Sequence, residues 1–113
     1  MLPCPHDARL AEIIEGGTNM FTYIGLIKLT DDGRENLEKA PEYLDRMRAI
    51  VEEEGGKLEK TFAIMGPWDF FALVKYPDNE AAFRALAKIG MLEVIHTETF
   101  PAEEVDVFLK TLV

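Results

Sequence analysis

Histidine and cysteine chemistry has very little to work with in this 113-residue chain, which contains only His6, His96 and Cys4. Cys4 and His6 stand together in Cys4-Pro5-His6-Asp7, and no second ligand pair follows at the spacing of a structural zinc site, so a dedicated metal centre within one chain is not expected. A histidine-dependent reaction would have to be built on His96, which lies two residues before Glu98. On a strand these two share a face, so the carboxylate can orient the imidazole or raise its pKa, as in a general-base pair. Tyr23 faces them if the strands that carry them run side by side. The same residues also suit a solvated edge strand, whose polar side chains guard against pairing with another chain.

A second constellation is Gly66-Pro67-Trp68-Asp69. Trp68 can wall a pocket and Asp69 can anchor a polar group at its mouth, which makes Tyr23, Trp68, Asp69 and His96 the candidate ligand-binding set. Turn chemistry accounts for the same residues. Gly66 supplies a backbone angle other residues resist, Asp69 hydrogen-bonds its own turn, and Trp68 covers an apolar edge. Lys28 and Lys75 either meet an anionic ligand or snorkel at the sheet margin. The sequence has no glycine-rich phosphate loop, Gly-x-Ser-x-Gly elbow or Cys-x-x-Cys pair, so no cofactor is expected.

These residues need elements to position them. FTYIGLIKL from Phe21 is rich in β-branched and aromatic residues, and Thr30-Asp31-Asp32-Gly33 closes it as a turn. Pro41 stands at the start of a helix in which Ala40, Leu44, Met47 and Val51 recur, widened by Tyr43 and Ile50 and stopped by Gly55-Gly56. Residues 57–65 and 70–76 form strands flanking the 66–69 turn. Asp78 caps a second helix, lined by Phe83, Leu86 and Ala87 and ended by Gly90. A fourth strand runs through MLEVIHTETF, and Pro101 opens a final helix with Glu103 and Glu104 in its first turn and Val105, Phe108, Leu109 and Leu112 facing inward.

The order is β-α-β-β-α-β with an added C-terminal helix: an α+β fold of the ferredoxin-like plan. In that plan the first and third strands are central, and they are the more apolar pair here. The other two carry Glu59, Lys60, Glu93, His96 and Glu98, as edges should.

Alternation carries a further expectation. Phe21, Tyr23 and Ile27 point one way and Ile24 and Leu26 the other; Phe71 and Leu73 oppose Phe70, Ala72, Val74 and Tyr76. Both faces are apolar, yet the crossover helices cover one. A C-terminal helix of about 11 residues spans about 16 Å, too little to cover the other. A second sheet packed at about 10 Å does so better, which predicts a two-fold homodimer of back-to-back sheets.

Composition sets outer limits. Twelve basic against 21 acidic residues give a formal charge of −9, with no basic run, which disfavours nucleic acid and anionic membrane surfaces. No apolar stretch approaches the roughly 20 residues of a membrane-spanning helix. A single cysteine and a first segment interrupted by Asp7, Arg9 and Glu12 lean toward a reducing cytoplasm rather than secretion. Residues 1–19, with two prolines at the front and Gly16-Gly17 near the end, read as an extension or tail, and residues 20–113 as one domain.

TYIGLIKLTDDG, Gly66-Pro67-Trp68-Asp69 and HTETFPAEE resemble, in order, three signature segments of the GYD-domain family, small bacterial and archaeal proteins named for a Gly-x-Tyr-Asp turn between two strands. The resemblance runs from Met20 onward and implies a dimeric α/β-barrel relative. Trp68 stands where the family has tyrosine, so a role in packing or stacking carries over and one needing a phenol oxygen does not. The leading functional expectation is a small-molecule-binding or sensing module acting as a homo-oligomer. Two others stand beside it: a small metal-free enzyme of oxygenase or isomerase type using His96 and Glu98, and a structural or adaptor protein.

Overall fold

The computed structural model describes residues 20–113; the expectations for residues 1–19 lie outside it. Strand β1 (Phe21–Leu29) is followed by a short helix α1 (Asp31–Glu35), a 3-10 turn at Leu37–Lys39 and helix α2 (Ala40–Glu53). Strands β2 (Lys57–Ala63) and β3 (Phe70–Tyr76), helix α3 (Asn79–Gly90), strand β4 (Ile95–Ala102) and helix α4 (Val105–Lys110) complete the chain. The sheet order is β2-β3-β1-β4, antiparallel throughout, so the apolar strands are indeed central and the charged ones are edges. This is the ferredoxin-like α+β arrangement.

The core follows from alternation. Tyr23, Ile27 and Leu29 of β1 and Ala72, Val74 and Tyr76 of β3 are buried beneath α2 and α3. Helix α2 contributes Tyr43, Met47 and Val51, and Pro41 occupies its first turn. Asp78 caps α3 by accepting a hydrogen bond from the Ala81 N–H at 2.7 Å. Glu54, just past α2, holds Arg84 and Lys88 of α3 at 2.7 and 2.6 Å, tying the two crossover helices together.

Four expectations are corrected. First, Thr30–Gly33 is more than a turn: Thr30 caps α1 through a 3.2 Å bond from the Gly33 N–H. Second, α3 turns Ala81, Ala82, Ala85 and Ile89 inward, leaving Phe83 71% exposed and Ala87 exposed. Alanines permit the helix to approach the sheet closely, while Tyr23 and Tyr76 fill the space from below. Third, β4 begins at Ile95 and runs through Pro101, so Pro101 starts no helix. A proline is tolerated there because β4 is an edge strand, where one N–H per residue pair has no ladder partner. Fourth, α4 has no inward face. Every residue from Glu103 to Val113 is exposed.

Candidate functional site

Asp69 organises the loop end of the sheet. One carboxylate oxygen accepts a 2.9 Å bond from the Leu29 N–H at the end of β1, and Arg34 of α1 approaches both oxygens at 3.3 and 3.5 Å. Its backbone N–H donates to the Ile27 carbonyl at 2.9 Å and its carbonyl accepts from Ile64 at 3.0 Å. The expected turn role is thereby extended: the side chain bonds across to β1 and α1 instead of within the turn. Gly66 has φ of +120°, the left-handed side that favours glycine, and Trp68 is half-buried.

Beside this clamp Lys28, Leu29, Thr30, Asp31, Arg34 and His96 line a shallow open niche. Lys28 and His96 are register partners across β1 and β4. Glu98 shares their face and stands opposite Leu26. Tyr23 does not join them. Although β4 does lie beside β1, Tyr23 pairs with Pro101 and, by alternation, points to the helix side. There its hydroxyl donates to Asn79 Oδ1 and its ring meets Tyr76 edge-on at 5.4 Å. Burial, and secondarily the Asp78 carboxylate, raises its pKa. The structure therefore places Asp69 and His96 at the niche end of the sheet, Trp68 in the adjoining loop, and Tyr23 on the opposite face.

Space for a ligand between sheet and helices is small. The cavity there, lined by Gly25, Ile27, Met47, Val51, Tyr76 and Ile89 among others, measures about 20 Å³. That is room for one water, against the roughly 300–1,000 Å³ of a drug-sized site. Among the described residues no group of three His, Cys, Asp or Glu could hold a metal ion, and no helix is long and apolar enough to cross a membrane.

The apolar surface is outside. The open sheet face presents Ile24, Leu26, Phe71 and Leu73 at its centre, with Phe62 and Phe100 on the edge strands 50% and 46% exposed. On the outer side of α3, Phe83, Ala87 and Met91 recur every fourth residue, all exposed. The sequence reading missed this stripe. The alanines at 81, 82 and 85 were its signal, because a close-packing small-residue face leaves the large residues outside.

A family model for the GYD domain matches residues 23–112. The chain belongs to the GYD-domain family. A relative from Thermus thermophilus, named a glutamine synthetase and cystathionine beta-lyase binding protein, is 34% identical over 95 residues, covering 80% of this chain and all of that one. Among solved structures, the feast or famine regulatory protein from M. tuberculosis, complexed with L-methionine, superposes with a TM-score of 0.57 at 14% identity. The match covers 92% of this chain, which spans 59% of that protein's length. The 30S ribosomal protein S6 from Thermotoga maritima gives 0.55 at 18% identity, covering 82% of this chain and 95% of that one. At these identities the two structures speak for the ferredoxin-like fold of this GYD protein and for nothing further.

Proposed function

We propose that this GYD protein is a binding module that works as a self-associated unit and whose ligands are other proteins, metabolic enzymes among them. The observation that carries the reading is the distribution of apolar surface: the cavity between sheet and helices has space for about one water, while Phe83, Met91 and the open sheet face lie outside. Exposed apolar groups set among charges are characteristic of surfaces that meet macromolecules. The Thermus relative, named for binding two enzymes, supports the same direction. Self-association assigns the open sheet face to a second copy and leaves the outer side of α3 for the partner enzyme.

The test uses purified glutamine synthetase and cystathionine beta-lyase from the same source as this protein. Co-sedimentation with either is expected, and Phe83→Asp should abolish it while far-UV circular dichroism stays unchanged. Failure of the wild-type chain to bind either enzyme overturns the enzyme-binding reading.

The niche favours a second reading. Lys28, Arg34 and His96 bring three nitrogen-bearing side chains to one shallow site in an otherwise acidic chain, which suits a small carboxylate or phosphate. Binding of such an anion that Lys28→Glu removes and Phe83→Asp leaves intact would mark that site as separate from the enzyme surface.

A further inference from the structure

Among the described residues, two apolar surfaces have no cover, and they complement each other in charge. One is the open sheet face. The other is the C-terminal segment, where Val105, Phe108, Leu109 and Leu112 recur at helical spacing and are 66, 49, 50 and 66% exposed. A helix of six residues is too short to persist alone in water, so its order calls for a surface to pack on. We infer that this segment is an exchanged arm: residues 105–113 of each copy lie against the second copy's sheet, at the end marked by Lys57 and Lys75, with Glu104 and Asp106 facing those lysines. The inference rests on the self-association proposed above.

Interface size supports a second copy as the occupant. Four strands spaced about 4.8 Å apart, with about seven residues each at about 3.3 Å, give a face of roughly 440 Å². A stable interface buries about 800 Å² per partner. An arm from each side adds to the surface that the two sheets bury.

Charge chooses the orientation. On the open face, Glu98 stands on edge strand β4 and Lys60, opposite Leu73, on edge strand β2. A two-fold axis running along the strands lays β4 of one copy over β2 of the other, so the edge that carries Glu98 meets the edge that carries Lys60, with Glu98 level with Phe62 and one same-face position along from Lys60. An axis running across the strands lays like edge on like edge, and both pairs become repulsive.

With the axis along the strands, the register fixes where the arm emerges. Ala102 at the end of β4 is level with Thr22, Thr22 with Lys75, and Lys75 with Lys57. The chain thus leaves β4 above Lys57 and Lys75 of the second copy, about 10 Å away across the stacked sheets. Lys57 is paired only loosely, to Glu59 at 3.6 Å, and Lys75 has no ion pair among the described residues.

Full-length charge-swapped variants test this. One carries Lys57→Glu and Lys75→Glu, the other Glu104→Lys and Asp106→Lys. Each alone opposes like charges at both arms of its own dimer, whereas a mixed dimer matches opposite charges at both. By sedimentation velocity at low salt, each variant should self-associate at least about tenfold more weakly than wild type. Native mass spectrometry of an equimolar mixture should show mostly the mixed dimer, at near wild-type affinity. If both variants associate like wild type and mix statistically, the arm is not exchanged, although self-association stands. Weakening that mixing does not relieve overturns the arm as well. A wild-type chain that is monomeric at 100 μM refutes self-association itself, and with it the arm; residues 1–19 covering the sheet from within the chain would give that result.

Discussion

A methyl group added at Gly33 would stand 2.5 Å from the Val94 carbonyl oxygen and 3.4 Å from the Leu29 Cβ. The near neighbour is backbone, fixed in turn because Thr30 donates to it from its N–H at 3.1 Å and to the Glu93 carbonyl from its hydroxyl at 2.9 Å. Helix propensity alone says Gly33→Ala stabilises α1 by up to about 1 kcal/mol. The close approach reverses the sign, and we expect a loss of about 1–3 kcal/mol, read as a lower urea midpoint at unchanged m-value. A gain would show that the loop before β4 yields. The sequence reading recognised turn chemistry at Thr30–Gly33 but could not see this constraint, because the obstructing carbonyl is 61 residues away, in a segment read as part of the fourth strand, and periodicity does not say which distant backbone a glycine meets. Asp69 shows the same limit. Its residue type announces a turn, and its actual bonds to Leu29 and Arg34 span 40 and 35 residues.

At the scale of elements, β1 and β3 bring Tyr23 and Tyr76 together under α3. Burial, followed by the nearby Tyr23 and Glu54, raises the Tyr76 pKa from 10.0 to about 12. The folded chain then holds a proton between pH 10 and 12 that the unfolded chain has released. The stabilisation is complete below pH 10 and declines as pH rises through that window, by about 1.4 kcal/mol per pH unit. Urea midpoints should therefore fall steeply from pH 10 to 11, and Tyr76→Phe should flatten that slope; an unchanged slope in the variant assigns it elsewhere. Glu54 acts in the opposite direction, since its hydrogen bonds to Arg84 and Lys88 lower its pKa, so its contribution is present at neutral pH and lost on acidification. Strand order and centrality were legible because composition separates buried strands from edges. The limits of β4 were not, because a proline reads alike as a helix opener and as an edge-strand residue.

For the whole molecule, alternation in β1 and β3 revealed two apolar faces, and the described residues leave the second one open. What the pattern could not reveal is whose surface each amphipathic element meets: periodicity shows that α4 has an apolar stripe, not that its own body declines it. The proposed association through the open face would make unfolding concentration-dependent, since a hundredfold rise in protein favours a dimer by about 2.7 kcal/mol. The wild-type Tm should rise by several degrees between 1 and 100 μM. Leu26 stands at the centre of that face, between Phe71 on β3 and Glu98 on β4. Leu26→Asp places a carboxylate beside Glu98 and, by two-fold symmetry, a second such pair in the same interface, where desolvation makes each unpaired charge costly. In the monomer the residue faces away from the helix-side core, so the fold should survive with unchanged far-UV circular dichroism. The variant's Tm should then be independent of concentration. A Tm that still climbs with concentration in Leu26→Asp would mean that the copies meet through another surface, and the outer stripe of α3, with Phe83 and Met91 exposed, would be the one to mutate next.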